Sequence, residues 1–156
     1  MKYFDNINNH KYIYLGTIGE PEDNVLRFTI EEAGVSEDKT SIEISGSELS
    51  GLRSIEVTDK SCIYEVTFDN YIGYSVLNES YCGVDEYEEY EGRLFCVYKK
   101  SHYLNYLSKA SLATSEYPGP FKHYGFNCLN HIVDVVSTEE PSITLIGGRH
   151  LTKVSI

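Results

Sequence analysis

Short apolar runs separated by polar turns recur along the chain. Tyr12–Ile18 and Val25–Ile30 are apolar, and Ser41–Ile44 alternates between polar and apolar residues. The intervening stretches, in which Gly, Pro, Ser, Asn and charged residues collect, predict loops at 19–24, 34–39 and 46–51. Runs of this length with turns this frequent are typical of a β-rich domain.

The clearest local pattern predicts a β-hairpin in the middle of the chain. Its strands cover 62–68 and 71–77, and one face of each strand is mostly apolar. Between them, Asp69-Asn70 tolerates the positive φ that a two-residue turn requires. We expect an earlier strand, 53–58, to join this hairpin through Asp59-Lys60.

One segment, residues 101–112, has helical spacing instead of alternation. Ser101 is a suitable N-cap, and apolar residues three or four apart follow it. The stretch Phe121–Ser137 predicts one long strand with a bulge near 129–131, where the alternation changes parity. Further strands are predicted at 94–98, 142–146 and 151–156.

These elements occur as many strands, one helix and then more strands, without the βα alternation of a doubly wound parallel sheet. The sequence therefore predicts a β-rich α+β fold, namely a curved antiparallel sheet or a partly open barrel with one main helix at about 101–112. Because no linker or repeat divides the 156 residues, we expect a single domain, 1–156.

The chain is strongly acidic, with 24 Asp and Glu against 13 Lys and Arg and a formal net charge of -11. Such a field repels phosphate groups, which argues against direct binding of nucleic acid or of an anionic membrane. It favours a basic protein partner, although solubility accounts for the same charge. No apolar run has the length of a signal peptide or a membrane span, so we expect a cytoplasmic protein whose four cysteines are free thiols.

The densest acidic stretch, here called the acidic segment, is the candidate partner-binding surface. It comprises Asp85, Glu86, Tyr87, Glu88, Glu89, Tyr90 and Glu91. Carboxylates packed this closely must lie at the surface, where they match Lys and Arg of a partner and the tyrosines supply contact area. The alternative is a solvated loop. The EF-hand spacing and its glycine are absent, so no metal site is predicted here.

Other residue types that carry chemistry are present without a complete motif. Cys128 and His131 could ligate zinc, but no second Cys/His pair accompanies them, and we expect a core thiol beside a hydrogen-bonded histidine. A ribonuclease can use two histidines and a lysine, and a Lys or Arg lies near each of His102, His123 and His150. No local motif fixes a catalytic residue or a cofactor, and none is predicted.

Three segments resemble stretches of small uncharacterised bacterial proteins, namely Phe68–Ser80, Arg93–Leu107 and Asn130–Val136. That resemblance implies no catalytic residues. In size, acidity and lack of motifs the chain is also similar to immunity proteins of bacterial toxin systems, including contact-dependent growth inhibition. Such proteins neutralise a cognate toxin, often a nuclease, by binding it tightly.

The resemblance and the charge together predict a protein-binding, immunity-type protein that occludes the active site of a basic nuclease toxin. Carboxylates of the acidic segment would pair with Lys and Arg of the toxin. One alternative is an enzyme or small-ligand-binding β-barrel, which requires that at least two of His102, His123, Cys128 and His131 converge in a pocket. Another is a structural or regulatory module that forms a homodimer through a Tyr-rich surface.

Overall fold

The computed structural model describes residues 1–148. Within them lie ten β-strands, two α-helices and a short 3₁₀ helix, Glu79–Tyr81. The strands are β1 (Tyr12–Glu22), β2 (Val25–Ile44), β3 (Ser47–Glu56), β4 (Ile63–Asp69), β5 (Gly73–Asn78), β6 (Glu89–Gly92), β7 (Phe95–Lys100), β8 (Lys122–Asn127), β9 (His131–Ser137) and β10 (Ser142–Gly147). The helices are α1 (Phe4–Asn9) and α2 (His102–Ala110).

The strands form two antiparallel sheets. The first has the order β1-β2-β4-β10, with β3 paired to the far half of β2. The second has the order β5-β9-β8-β7-β6. The predicted β-rich α+β fold with antiparallel strands and one main helix is confirmed, and its strands divide between two open sheets that do not close into a barrel.

The apolar faces of the two sheets meet through a cluster of aromatic rings. Phe28 and Phe68 come from the first sheet, Phe95 and Phe126 from the second, and all four are buried. Phe126 stacks on Phe95 with ring centroids 4.4 Å apart and meets Phe28 edge-on at 5.0 Å. Aromatic pairs at these separations add to the stabilisation that burial provides.

Helix α1, which is too short to show a helical period in the sequence, fastens the N-terminus to the second sheet. Phe4 packs against Phe95, and Ile7 is completely buried. The side-chain oxygen of Asn8, Oδ1, accepts hydrogen bonds from three consecutive backbone N–H groups, those of Arg93–Phe95. This one side chain therefore supplies the hydrogen-bond acceptor for the backbone N–H groups at the start of β7.

The predicted hairpin across Asp69-Asn70 is wrong, because its two strands belong to different sheets. β4 lies between β2 and β10, whereas β5 is an edge strand beside β9. Asn70 does have a positive φ of 54°, but its N–H binds Asn24 O, and the chain then crosses to the second sheet. There Ile72 N–H binds Val136 O. The strand predicted at 53–58 pairs with β2 and does not join β4.

The single long strand predicted over Phe121–Ser137 is also wrong. This stretch contains two strands, β8 and β9, which pair antiparallel as a hairpin. Cys128 N–H donates to His131 O at 2.9 Å and closes the turn between them. The change of parity near 129–131 therefore marks a turn and not a bulge.

The second half of β2 pairs with the whole of β3 beyond the reach of β1 and β4, and we call residues 34–56 the arm. The loops predicted at 34–39 and 46–51 are therefore wrong, since both lie mainly within strands. The chain reverses at Ser45-Gly46, where both residues have positive φ, as in the tightest hairpin turns. Five exposed large apolar side chains lie on the arm: Val35, Ile42, Ile44, Leu49 and Leu52.

Other predicted elements are confirmed. The strands predicted at 94–98 and 142–146 correspond to β7 and β10, and the helix predicted at 101–112 corresponds to α2. The strand predicted at 151–156 lies outside the described residues. Among residues 1–148, no helix combines the length and the apolar character needed to cross a bilayer.

The four cysteines, all free thiols, are expected to differ sharply in reactivity. Burial raises the pKa of Cys96 and of Cys128 from 9.0 to about 12, which lowers the thiolate fraction at pH 8 by about three orders of magnitude. We therefore expect iodoacetamide to label the exposed Cys82 first, at least about 100-fold faster than the buried pair. Peptide mass spectrometry over time measures the rates, and urea should equalise them. Equal rates in the folded protein would contradict this order.

Candidate functional site

A cleft of about 340 Å³ lies on the outer face of the second sheet, next to α2. Side chains alternate along a strand, so residues an odd number of positions from the core phenylalanines Phe95 and Phe126 point away from the first sheet. Tyr98 and His123 are such residues, and they pair in register across β7 and β8. Cys82, Gly83 and Glu88 contribute to the rim. A volume of this size suits a small ligand or one long side chain.

Helix α2 forms one wall, and a glycine lets it approach the sheet. Ser101 Oγ accepts the N–H of Leu104 at 3.0 Å, which confirms the predicted N-cap. A Cβ on Gly73 of β5 would lie 3.1 Å from Leu107 and 3.3 Å from the hydroxyl of Tyr103. The missing side chain therefore leaves room for the buried face of α2 and brings Tyr103 to the cleft.

The floor of the cleft is Tyr98, whose ring lies over Gly125. It stacks on the imidazole of His123 with centroids 4.1 Å apart, and Tyr103 packs against the same imidazole at 5.5 Å. Burial raises the pKa of both tyrosine hydroxyls, that of Tyr103 to about 12. Both therefore stay neutral at physiological pH and offer aromatic faces and O–H groups.

Gly125→Ala should destabilise the protein by about 1–3 kcal/mol, since an added Cβ would lie 2.7 Å from the Tyr98 ring and force it to move. Urea unfolding measures the change. Gly83→Ala is the control, because a Cβ there meets no atom within 4 Å, and we expect a change below about 0.5 kcal/mol. Equal stability of the two variants would show that Tyr98 does not depend on the open space at Gly125.

His123 belongs to a buried chain of hydrogen bonds. Its Nδ1 lies 2.8 Å from Ser101 Oγ, and its Nε2 lies 2.8 Å from Asp134 Oδ1. The order Ser-His-Asp resembles a serine-hydrolase triad, but the two ring nitrogens are exchanged relative to one. In addition, Ser101 is only 1% exposed and its oxygen already caps α2. A nucleophile must reach its substrate, so these bonds are better explained as holding α2 against the floor of the cleft.

The loop half of the acidic segment, residues 85–88, is tied to the start of α2. Asp85 Oδ2 lies 2.6 Å from His102 Nε2, and Asp85 Oδ1 accepts the N–H of Tyr87 at 2.9 Å. These two hydrogen bonds, that of His102 first, lower the pKa of Asp85. The loop is therefore held in a defined conformation at the rim of the cleft.

The two tyrosines of the acidic segment pack against its own sheet and helix. The Tyr87 ring stacks on His102 at 4.6 Å, with Lys100 Nζ over its face 4.1 Å from the centroid. Tyr90 packs beside Tyr98 at 5.0 Å, and 48% of its surface remains exposed. Tyr90 therefore retains contact area for a partner, whereas Tyr87 mainly organises the segment.

Two lysines of β7 partly neutralise the negative charge of the strand half of the acidic segment, residues 89–91. Glu91 lies 2.8 Å from Lys99 Nζ, and Glu89 lies 3.9 Å from Lys100 Nζ. The hydrogen bond and charge of Lys99 lower the pKa of Glu91. Both pairs are exposed, so they contribute little to stability. They do reduce the charge that this half presents to a partner.

Glu86 and Glu88 differ from Glu89 and Glu91 in their lack of a cationic partner. Within residues 1–148, neither forms an ion pair with a Lys or Arg. Glu88 borders the cleft, and its Oε1 accepts the backbone N–H of His102 at 3.0 Å. Of the two, Glu88 therefore lies at the cleft, where Asp134 adds a further carboxylate.

The structure brings together only part of the residue set that the sequence singles out for chemistry. His102 and His123 both line the cleft, whereas Cys128 borders a different depression and His131 is not among the cleft's lining residues. His150 lies outside the described residues. The aromatic wall was not predicted, although the parity shared by Tyr98 and the apolar Cys96 could have indicated a second covered face.

We compared the chain with known protein families, curated proteins and solved structures. The chain matches no protein-family model, and neither the curated proteins nor the solved structures gave a match.

Proposed function

We propose that this chain is a binding protein that neutralises a basic toxin, most concretely a nuclease, by occluding its active site. The observation that supports this proposal is that Glu88, which forms no ion pair with a Lys or Arg among residues 1–148, lines an aromatic cleft, with the likewise unpaired Glu86 two residues before it in the chain. A surface of this kind is complementary to a cationic side chain flanked by further basic residues.

The cleft itself has the chemistry to receive arginine or lysine. The tyrosines Tyr98, Tyr103 and Tyr106 line it together with Glu88 and Asp134. A guanidinium group stacks on aromatic faces and forms paired hydrogen bonds with carboxylates. We therefore infer that one basic side chain of the partner enters the cleft while its neighbours contact the acidic segment.

Occlusion then follows from the chemistry of nucleases. Lys and Arg that bind phosphate in such a toxin are the groups that a carboxylate-rich surface attracts. The net charge of -11 would speed the encounter. While these cations are occupied, nucleic acid is excluded by steric blocking and by the negative field of the bound protein.

Co-expression with the toxin domain encoded by the neighbouring gene tests this function. We expect the two proteins to co-purify, growth to be restored and nuclease activity of the purified domain to fall in proportion to added protein. An unrelated acidic protein of similar charge is the control for non-specific neutralisation. Full nuclease activity in the presence of excess protein would refute the proposal.

A second candidate function, binding of a small organic cation, is favoured by the convergence of His102 and His123 in one cleft of about 340 Å³. Such a ligand would use the same tyrosines and carboxylates. Titration with arginine, agmatine and spermidine, followed by tyrosine fluorescence, tests it. Saturable binding that Tyr98→Ala abolishes would support the small-ligand function, and no response to any of the three would exclude these ligands.

A further inference from the structure

A second group of chemically active side chains lies at the base of the arm, on the first sheet. His10 follows α1, Glu32 lies on β2, and Cys62 immediately precedes β4. One ligand atom from each of the three lies within 4.8 Å of the other two. All three residues are half-buried, with 14% of the His10 side chain and 34% of the Glu32 side chain exposed.

The backbone fixes two of these residues relative to each other. Glu32 N–H donates to Cys62 O at 2.8 Å, and Cys62 N–H donates to Glu32 Oε2 at 2.9 Å. The first bond sets the distance between the strands, and the second orients the carboxylate. Glu32 Oε1 is then left facing His10 Nδ1 at 3.1 Å. The three side chains therefore converge without any rearrangement of the backbone.

The third side chain is held by a hydrogen bond on its far nitrogen. His10 Nε2 lies 2.8 Å from the hydroxyl of Tyr64, which is buried. Metal-bound histidines typically place their second ring nitrogen in such a hydrogen bond, which fixes the tautomer and the ring orientation. Nδ1 of His10 is consequently the nitrogen that remains for a metal ion, and it faces the Glu32 carboxylate.

We propose that His10 Nδ1, Glu32 and Cys62 Sγ bind a zinc ion. A thiolate and a carboxylate together carry two negative charges, which balance Zn²⁺, and the imidazole completes three protein ligands. The thiol proton leaves to solvent when the ion binds. The thiolate and imidazole select zinc over calcium or magnesium, which prefer oxygen ligands alone.

The spacing fits this ion after a small contraction. Tetrahedral zinc with bonds of about 2.0–2.3 Å places its ligand atoms roughly 3.3–3.8 Å apart. The His10 and Glu32 atoms already lie close to this spacing, and because the other two pairs lie within 4.8 Å, they need a closure of at most about 1–1.5 Å. Three protein ligands leave a fourth position, which solvent can occupy.

Titration of the reduced, metal-free protein with Zn²⁺ against a chromophoric chelator tests the site. We expect one equivalent to bind, and Co²⁺ in its place to give a thiolate-to-metal charge-transfer band. Cys62→Ser and His10→Ala should each weaken zinc binding at least about 100-fold, and Tyr64→Phe about 10–100-fold. Cys82→Ser is the matched control, since Cys82 is an exposed free thiol outside the group, and it should leave zinc binding unchanged.

A second measurement needs no variant. Zn²⁺ should slow alkylation of Cys62 by at least about 10-fold while leaving the rate at Cys82 unchanged. Binding of no equivalent, a charge-transfer band that persists in Cys62→Ser, or equal protection of both cysteines would overturn the proposal. The outcome is independent of the toxin assay, because the group includes no residue of the acidic segment.

Discussion

Phe126→Ala should lower the free energy of unfolding by about 3–5 kcal/mol, a large part of the stability of a domain of this size. Phe126 is completely buried where the two sheets meet. Its removal would leave a cavity between Phe95, on which it stacks, and Phe28, which it meets edge-on. Buried residues of both sheets pack around Phe126 in one core cluster, so this space cannot be filled without displacing them.

Urea unfolding followed by circular dichroism measures the effect. Tyr81→Ala is the control, because it also removes an aromatic ring, yet Tyr81 is 79% exposed; we expect a change below about 0.5 kcal/mol. Phe28→Ala combined with Phe126→Ala should lose less than the sum of the single variants, since the contact between the rings can be lost only once. Additive losses would show that the sheets do not meet through this pair.

Local signals in the sequence predicted individual elements correctly. Helix α2 begins at the predicted cap because Ser101 and the three-to-four spacing after it act within one turn. Most strands were found because alternation reports which side chains are covered. Both signals can be recognised within a few residues, so neither requires knowledge of which segments pair in the fold.

Strand pairing was not predictable in the same way. Alternation reports a face but no partner, so 62–68 and 71–77 looked like a hairpin although β4 and β5 belong to different sheets. The polar composition of the arm predicted loops, because a two-stranded ribbon exposed on both faces lacks the apolar face by which strands are recognised. Conversely, the parity change near 129–131 marks a turn, which was not recognised because it contains no Gly or Pro.

The sites illustrate the same limit. The acidic segment was visible in the composition of the sequence. The lysines of β7 that pair with it, and the cleft beside it, depend on the pairing of β6 with β7 and were not visible there. His10, Glu32 and Cys62 are separated by 22 and 30 residues and match no metal-binding spacing. They meet only because β2 runs beside β4 and because α1 ends above both.

Glu86 and Glu88 are expected to carry most of the specific attraction for a basic partner. The double variant Glu86→Gln with Glu88→Gln removes two charges and leaves an amide oxygen to accept the N–H of His102. Loss of one partner of a charge pair buried in an interface costs about 2–5 kcal/mol, so we expect affinity for the toxin domain to fall about 30- to 4000-fold.

The control for net charge is Glu43→Gln with Glu48→Gln, two exposed glutamates that face each other on the arm. It removes the same charge from another place and should weaken binding less than about threefold, because remote charges act only through the screened field. Titration calorimetry at two salt concentrations measures both variants. Equal weakening would mean that the attraction arises from the overall field, and no weakening by either would exclude the rim of the cleft as the binding surface. Only a loss confined to Glu86 and Glu88, and smaller at high salt, fits a cation bound at this rim.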